Sequence, residues 1–378
     1  MAATALDVLR ALHAHTTAHR LPPPAALIGD WWDADAVIAP SIELRTGVGP
    51  PADPDRFWLG YLGFPVRADE STLPQVAGGI TDHLLMLRDG VWSTIGDVPA
   101  WALGALVGPR SGWTAEWTAP QRQPHLDAIE NCLDAIRAGE VYQACVCTRF
   151  TGTVTGSTVD YFADVTAATA PAKSAFLQGD WGTVASFSPE LFLRRTGNIV
   201  SSAPIKGTLP AHDDPDRLAS STKDVAENIM IVDLVRNDLG RLAVTGSVRV
   251  PDLLSVVSAP GVWHLVSQVQ AIVEPGTGTD VLLAATFPPA SVTGTPKLRA
   301  MELLADWEHG ARGVYCGAVG IAGPDHGLDL NVAIRTVSIA PDGTATLGVG
   351  GGITIDSDPA AEWQECLDKA ASIVGHVG

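Results

Sequence analysis

The chain has 378 residues, of which 46% are apolar and 17% charged, a composition typical of soluble globular proteins rather than disordered ones. Its formal net charge of −18 argues against nucleic acid or an anionic membrane as a partner, because phosphate groups would be repelled. No uncharged stretch approaches the roughly 20 apolar residues of a membrane span, and the N-terminus has the pattern of an amphipathic helix rather than a signal peptide. We therefore expect a cytoplasmic protein. Its five cysteines, which show no C-x-x-C spacing, are expected to be free thiols.

Taken in chain order, residues 1–118 are rich in proline, glycine and tryptophan, with short apolar runs such as FWLGYLGF. They predict a β-rich N-terminal portion, and residues 119–378 predict a second portion with a different pattern. In HLDAIENCLDAIRAGEV the apolar residues recur at helical spacing and stop at Gly139. Segments with strand propensity follow, among them YQACVCTRF, SAFLQG and TVASFS.

The segment LFLRR-TGN-IVSSAP predicts a β-hairpin, because a glycine-containing turn separates two runs with strand propensity. The turn centres near residue 198, which lies midway between Glu190 and Lys206. The hairpin would therefore place a carboxyl group and an amine side by side at one end of a sheet. Composition alone favours a solvated ammonium for Lys206, so its role as a nucleophile stays open at this point.

The segment STKDVAENIMIVDLVRNDLGRL predicts a helix that begins at Ser221 as N-cap. An apolar stripe is expected along its buried face, formed by Val225, Ile229, Val232 and Val235.

Carboxylates share one face on each of two predicted helices. Asp224 and Glu227 stand at i and i+3 on the first, and Glu362, Glu365 and Lys369 follow i, i+3, i+7 spacing in DPAAEWQECLDKAASIV. A hard cation such as Mg²⁺ takes one or two protein carboxylates directly and holds others through water. The pairs could hold such an ion, or they could be two acidic surface faces.

Three further features have both a structural and a functional interpretation. The glycine cluster GVGGGITIDS (348–357) is either a turn with close backbone packing or a run of N–H groups that holds a carboxylate. His264, among apolar residues in GVWHLVSQV, has the surroundings of a core histidine. Arg335 interrupts the strand-like run NVAIRT, which suggests a partner anion. The chain has no GxxxxGK[ST], HExxH or GxSxG motif, so P-loop, zincin and α/β-hydrolase sites have no support.

Together these segments resemble the chorismate-utilising enzymes, the family that includes anthranilate, aminodeoxychorismate, isochorismate and salicylate synthases. The matching stretches lie in the family's order over roughly residues 122–374 and include IRAGEVYQACVCTRF, SFSPELFLR, APIKGTLP, KDVAENIMIVDLVRNDLGRL, FPPASVTGTPKLRAMELL, RGVYCGAVG and GVGGGITIDSDPAAEWQECLDKA. The resemblance implies an α+β fold, a single αβ sandwich of two packed antiparallel sheets with outer helices and the active site deep between the sheets.

The resemblance also implies a set of binding residues. Mg²⁺ would be held by Glu227 and Glu365, with Asp224 and Glu362 assisting through water. Chorismate would be bound by Arg335, Tyr315, Lys369 and the amides of Gly350, Gly351 and Gly352, with Thr208, His264 and Gln143 completing the set. Such a site would admit a dianion into an acidic protein, because the ion, the arginine and the lysine supply local positive charge.

Two positions separate the reactions within the family. Members that use water resemble one another in a lysine base where this chain has Gln143, whereas members that use ammonia have glutamine. The PIKGT motif around Lys206 is similar to that of enzymes that aminate C4 of chorismate, and anthranilate and isochorismate synthases have alanine at that position. The resemblance implies that Lys206 attacks the ring, that Glu190 protonates the departing C4 hydroxyl, and that ammonia displaces the lysine to give 4-amino-4-deoxychorismate.

No segment resembles a glutamine amidotransferase, so the ammonia would come from a separate amidotransferase subunit. Two alternatives stay open: an ammonia-using synthase that makes anthranilate or an aminodeoxyisochorismate, and a non-catalytic subunit that binds chorismate and regulates. Leu209, Pro210 and Ala211 follow PIKGT where the family often has Arg-Pro-Arg. The sequence leaves open whether the product feeds folate or a specialised aromatic metabolite.

Overall fold

In the computed structural model, which describes residues 3–104, 107–324 and 327–376, the chain forms nine α-helices within those ranges. They are α1 (Ala5–His19), α2 (Ala100–Leu103), α3 (Arg122–Arg137), α4 (Thr158–Thr169), α5 (Asp216–Ser220), α6 (Thr222–Gly240), α7 (Thr279–Thr286), α8 (Lys297–Trp307) and α9 (Pro359–Val374). Short 3-10 turns lie at Ala68–Glu70 and Ala290–Val292.

The strands of the same ranges number 21. They are β1 (Ala25–Trp31), β2 (Ala34–Ala39), β3 (Arg45–Thr46), β4 (Phe57–Leu62), β5 (Val76–Thr81), β6 (Leu84–Arg88), β7 (Val91–Ile95), β8 (Trp113–Thr118), β9 (Gln143–Gly156), β10 (Lys173–Gly179), β11 (Gly182–Ser188), β12 (Leu191–Thr196), β13 (Ile199–Ala203), β14 (Ile205–Pro210), β15 (Arg249–Ala259), β16 (Val262–Ile272), β17 (Gly294–Thr295), β18 (Ala318–Gly323), β19 (Gly327–Val332), β20 (Thr336–Ile339) and β21 (Thr344–Ile353).

These strands form two antiparallel sheets. Sheet A has 11 strands in the order β17-β9-β21-β20-β11-β10-β1-β2-β6-β7, with β8 also paired to β9. Sheet B has 10 strands in the order β14-β16-β13-β12-β19-β18-β4-β5-β3, with β15 also paired to β16. Strands from residues 1–118 enter both sheets. The division of the chain at residue 118 stays a prediction.

The layers of the fold follow from the alternation of side chains along the strands. Leu27 and Val184 of sheet A pack with Leu59 of sheet B in one buried cluster between the sheets. On the other face of sheet A, Phe176 belongs to a second cluster with residues of α1, α4 and α9, while α6 and α7 contribute to a third cluster with sheet B. The predicted α+β sandwich with outer helices is confirmed.

Helix α6 begins as predicted, because the Ser221 side chain accepts a hydrogen bond from the backbone N–H of Asp224. Its buried face differs from the predicted stripe: Ile229 is 44% exposed, whereas Glu227 and Asn228 are buried. Asn228 donates a hydrogen bond to the carbonyl of Leu265 at 3.2 Å, so the buried face of the helix includes a polar contact. The helix therefore carries Glu227 into the protein interior, which the apolar pattern did not predict.

The predicted hairpin is present, but its consequence for Lys206 is wrong. Strands β12 and β13 pair around a two-residue turn, with Thr196 opposite Ile199. A register shift then brings Leu191 opposite Ala203. The chain then leaves the hairpin, and β14 pairs with β16 instead, with Ile205 opposite Val266. Pro204 separates β13 from β14 and has no N–H to continue a ladder. Any proximity of Glu190 and Lys206 must therefore come from tertiary packing.

The glycine cluster is part of a strand rather than a turn. Strand β21 pairs with β9 from residue 344 to residue 353, so Gly350 lies opposite Cys147 and Gly352 opposite Cys145. On its other edge β21 pairs with β20 only at residues 345–347. Residues 348–352 therefore have one backbone edge without a strand partner, and this edge lies beside a cavity.

No helix among the residues that the structure describes has the length and apolar character needed to cross a membrane.

Candidate active site

A cavity of about 120 Å³, which we call the central cavity, is lined by strands of both sheets and by α6 and α9. It brings together twelve of the fifteen predicted site residues: Glu190, Lys206, Thr208, Glu227, His264, Tyr315, Arg335, Gly350, Gly351, Gly352, Glu365 and Lys369. The other three lie behind its wall. Gln143 is next to Gly352, Asp224 is next to Gly207, and Glu362 is next to Gly351.

A second cavity of about 260 Å³ is larger, but it contains only one predicted site residue, Tyr315. The two cavities share Tyr315 and Gly348 as a wall. We place the candidate active site in the central cavity, because most of the predicted titratable groups converge there.

Glu190 and Lys206 both line the central cavity, and they come from different parts of the fold. Lys206 belongs to β14. Glu190 lies between β11 and β12, where its backbone N–H donates to the Ser188 hydroxyl at 3.1 Å. Burial raises the pKa of Glu190 to about 7, against the lowering effects of the Ser291 hydroxyl and of the Lys206 charge. Glu190 can therefore hold a proton near neutral pH. This is the property that a general acid requires.

Lys206 is oriented by the 3-10 turn at 290–292. Its Nζ donates a hydrogen bond to the carbonyl oxygen of Ser291 at 3.1 Å. Ser291 lines the central cavity together with Lys206 and Glu190. Sequence reasoning missed Ser291, although it lies in the FPPASVTG stretch that matches the family.

His264 and Thr208 face each other on paired strands β16 and β14. The Thr208 hydroxyl and the His264 Nδ1 are 3.0 Å apart. Burial, together with the nearby charge of Arg335, lowers the pKa of His264 to about 4. His264 is therefore a neutral hydrogen-bonding group at physiological pH, and it lines the cavity rather than the apolar core.

Arg335 enters the cavity from the segment between β19 and β20, with a backbone φ of 49°. Burial lowers its pKa. None of the Asp and Glu side chains that the structure describes lies within ion-pair distance of this guanidinium. A largely buried cation without a carboxylate partner is what a site for an anionic ligand requires.

The glycines of β21 are needed for close packing around the cavity. A Cβ at Gly350 would lie 2.5 Å from the Cys147 Sγ, and one at Gly352 would lie 2.5 Å from the Gln143 Nε2. Any side chain at these positions would displace its neighbour, because real Cβ contacts are longer than this. Both side-chain polar atoms of the fully buried Gln143 lack a hydrogen-bond partner among the described residues.

Three of the four predicted metal ligands form ion pairs with lysines. Lys223 Nζ lies 2.6 Å from a Glu362 oxygen and 3.9 Å from Glu227 Oε1, and Lys369 lies 2.8 Å from Glu365 Oε1. Lys369 also donates to the carbonyl of Gly350 at 2.7 Å. Sequence reasoning missed Lys223, although its i, i+4 spacing from Glu227 was available as a signal.

No three His, Cys, Asp or Glu side chains are arranged to hold a metal ion together, in the part of the chain that the structure describes. Glu227 nevertheless retains the character of a ligand. Its Oε1 is buried and has no hydrogen-bond partner there, and burial raises its pKa. An ion that needs one or two protein carboxylates therefore fits this donor set.

A family model for chorismate binding enzymes matches residues 110–375. The chain belongs to this family. Over 343 residues it is 39% identical to aminodeoxychorismate synthase component 1 of Klebsiella aerogenes, an alignment that covers 84% of this chain and 76% of that protein. The Escherichia coli (strain K12) protein of the same name is 36% identical over 327 residues, covering 82% and 72% of the two chains.

Among solved structures, anthranilate synthase component I of Streptococcus pneumoniae TIGR4 is similar, with a TM-score of 0.74 at 25% identity, covering 87% of this chain and 83% of that one. The menaquinone-specific isochorismate synthase MenF of Escherichia coli has a TM-score of 0.74 at 18% identity, covering 98% and 91%, which supports the fold alone. The predicted resemblance to chorismate-utilising enzymes is confirmed, as is the prediction that the chain is an enzyme.

Proposed function

We propose that the chain catalyses the Mg²⁺-dependent amination of chorismate at C4 with ammonia, which yields 4-amino-4-deoxychorismate. The observation that carries the proposal is that Lys206 and Glu190 line one cavity, where burial raises the pKa of Glu190 to about 7. The two relatives that align over 84% and 82% of the chain are named aminodeoxychorismate synthase component 1, which supports the proposal.

In the first step, Lys206 forms a bond from Nζ to C2 of the ring. The ring double bonds shift, the C4–O bond breaks, and Glu190 gives its proton to the departing hydroxyl, which leaves as water. The amine needs a lone pair, so Lys206 reacts as the neutral form. The Ser291 carbonyl accepts one of its hydrogens and thereby limits the directions in which the lone pair can point.

In the second step, ammonia attacks C4, the double bonds shift back, and the bond between C2 and Lys206 breaks. The extra proton on the new amino group returns to Glu190, so chorismate and ammonia are converted into the aminated product and water. Gln143 has a buried amide with unused hydrogen-bonding capacity next to Gly352, and we assign it contact with the incoming ammonia.

Binding of the substrate carboxylates falls to the chain's own cations and backbone. Arg335 is positioned for one carboxylate. The free edge of β21 offers the amides of Gly350 and Gly352, because N–H groups alternate along a strand and Gly351 pairs with Val146 of β9. Tyr315, which lies against Gly348, closes the wall beside them. His264 and Thr208 supply neutral hydrogen bonds at the opposite sheet.

Mg²⁺ would be held by Glu227 and Glu365, with Glu362 and Asp224 nearby to bind its waters. When bound it would neutralise a substrate carboxylate and the negative charge of these glutamates. Lys223 lies 3.9 Å from Glu227 Oε1, and a bound cation would weaken the attraction between this ammonium and the carboxylate. Ammonia would come from a separate glutamine amidotransferase, in keeping with the word "component" in the relatives' names.

The test is to incubate the protein with chorismate, Mg²⁺ and an ammonium salt at mildly alkaline pH and to identify the product by mass spectrometry. We expect 4-amino-4-deoxychorismate from the free ammonium salt, and a lower ammonium requirement when an amidotransferase and glutamine are added. Anthranilate as the main product would support the anthranilate synthase alternative, which relatives such as the Neisseria meningitidis serogroup B component 1 represent. No consumption of chorismate under either condition would favour a binding subunit.

The covalent step is tested separately by intact-protein mass after rapid quenching with chorismate in the absence of ammonia. The wild type should gain the mass of chorismate less one water, and Lys206→Ala should gain nothing while keeping the wild-type melting temperature. An adduct that persists in Lys206→Ala would assign the nucleophile to another residue.

A further inference from the structure

Two side chains close a gap at one edge of strand β9. On this edge β9 pairs with β17 at residues 143 and 144 and with β8 from residue 151 to residue 156, so no strand covers the residues between. Glu308 and Arg312 cover them instead. Glu308 Oε1 accepts a hydrogen bond from the Cys147 N–H at 2.8 Å, and Arg312 Nη2 donates to the Cys145 carbonyl at 2.7 Å. The pair supplies the acceptor and the donor that a neighbouring strand would have supplied.

The Arg312 side chain is 4% exposed, and its guanidinium is fully engaged. It forms a bidentate pair with Glu308, at 2.8 Å from Nε and 2.6 Å from Nη2. Nη1 donates to the carbonyl of Val292 at 2.7 Å, and the guanidinium carbon lies 4.3 Å from the centre of the Phe64 ring. One planar group thus joins the 3-10 turn at 290–292 to β9 through two carbonyl oxygens.

The turn that Arg312 holds is the one that orients Lys206. Ser291 precedes Val292 directly, and its carbonyl accepts the hydrogen bond of Lys206 Nζ at 3.1 Å. Ser291, Lys206 and Glu190 line the same cavity. A displacement of Val292 therefore moves the carbonyl that orients the nucleophile relative to the acid. Arg312 itself does not line the central cavity.

We propose that Arg312 is a positioning residue for catalysis, which fixes the 290–292 turn so that the Ser291 carbonyl orients Lys206 in the cavity that also holds Glu190. This inference rests on the proposed function, because it assigns Arg312 an effect on the covalent step rather than on substrate binding. A lysine could keep the charge next to Glu308, but one ammonium cannot reproduce the planar fork that reaches Glu308 and two carbonyls at once.

The test compares Arg312→Lys with Arg149→Lys in the full chain. Arg149 is the matched control, because it donates to the carbonyl of Ala311 at 2.8 Å, next to Arg312 in the chain, and makes no contact with the 290–292 turn among the described hydrogen bonds and ion pairs. We expect Arg312→Lys to lower kcat about 100-fold, since small displacements of reacting groups cost on that order. Its KM for chorismate should stay within about threefold of the wild type, because the binding groups are elsewhere.

The rate at which the adduct on Lys206 forms distinguishes a positioning role from a merely structural one. In Arg312→Lys the adduct should form about 100-fold more slowly, in parallel with kcat, while Arg149→Lys behaves as the wild type. Equal kcat in the two variants, or a rise in KM with kcat unchanged, would overturn the proposal.

Failure of the proposed function is recognised separately, in the wild type, from the identity of the product and from the presence of the adduct. If Arg312→Lys does not fold, Ala290→Gly loosens the same turn and leaves Arg312 in place. A lowered kcat with unchanged KM in Ala290→Gly would support the role of the turn, and an unchanged kcat would overturn it.

Discussion

Lys206 and Ser291 are joined by a hydrogen bond of 3.1 Å from the lysine Nζ to the serine carbonyl oxygen, between a strand of sheet B and a 3-10 turn that lies 85 residues further along the chain. Glu190 lines the same cavity as both residues. One short turn therefore orients the proposed nucleophile in the cavity that contains the proposed acid.

Glu190 should determine the basic limb of the activity profile. Burial raises its pKa from 4.5 to about 7, and the proposed reaction needs its protonated form. With free ammonia held constant, we expect kcat/KM for chorismate to fall as pH rises above about 7. Glu190→Gln should abolish the adduct on Lys206, since an amide cannot protonate the leaving hydroxyl. A profile that stays level between pH 7 and pH 9 would contradict this role.

The same shift has a consequence for stability. Because the folded-state pKa of Glu190 lies above the unfolded value, its contribution to stability is complete below pH 4.5 and is lost as pH rises through about 7. The loss amounts to about 3 kcal/mol. In urea unfolding, Glu190→Gln should therefore gain about 3 kcal/mol relative to the wild type between pH 5 and pH 8. The exposed control Glu130→Gln should show no such change.

Arg335 should matter for substrate affinity and little for folding. Its guanidinium is largely buried and has no described carboxylate partner, so Arg335→Gln removes a desolvated charge without breaking an ion pair. We expect KM for chorismate to rise about 10- to 100-fold, the worth of a charge-assisted hydrogen bond. The melting temperature should be equal to or above that of the wild type. A large fall in melting temperature would indicate a structural partner for Arg335 instead.

Gly352 should not tolerate a side chain. The Cβ of Gly352→Ala would lie 2.5 Å from the Gln143 Nε2 and 3.3 Å from Glu227 Oε2, and both neighbours are buried. We expect a loss of about 1–3 kcal/mol in the free energy of unfolding, together with weaker chorismate binding. Gly49→Ala is the control, because its nearest neighbour would be 3.8 Å away, and its stability should stay within about 1 kcal/mol.

Glu227 should carry the response to Mg²⁺. Burial raises its pKa, and its Oε1 accepts no hydrogen bond from the described residues, so the ionised form is disfavoured without a bound metal ion. The contribution of Glu227 to stability therefore falls as pH rises through its folded-state pKa. At pH 8 we expect Glu227→Gln to melt above the metal-free wild type. Added Mg²⁺ should raise the melting temperature of the wild type and of Glu130→Gln, but not of Glu227→Gln. A full response in Glu227→Gln would place the ion elsewhere.

Local patterns were enough to predict several elements. The Ser221 cap, the helix that ends before Gly139 and the strands from YQACVCTRF to IVSSAP follow from capping chemistry and periodicity. These signals are short-range, because each depends on residues a few positions apart. The two-sheet class and most of the candidate site residues follow instead from the family resemblance, and twelve of the fifteen site residues line the central cavity.

The sequence by itself determined which chemical groups are available: a lysine in PIKGT, an acid in SFSPE, paired carboxylates on two helices and a run of glycines. Only the tertiary structure decided how they meet. Counting residues from the hairpin turn predicts Glu190 opposite Lys206. In the structure Pro204 ends that ladder, and β14 pairs with β16 instead. The polar contacts of Asn228 turn Glu227 inward, and Arg312 reaches β9 across 167 residues of chain. Such contacts depend on long-range packing and buried hydrogen bonds, which leave no periodic trace in the sequence.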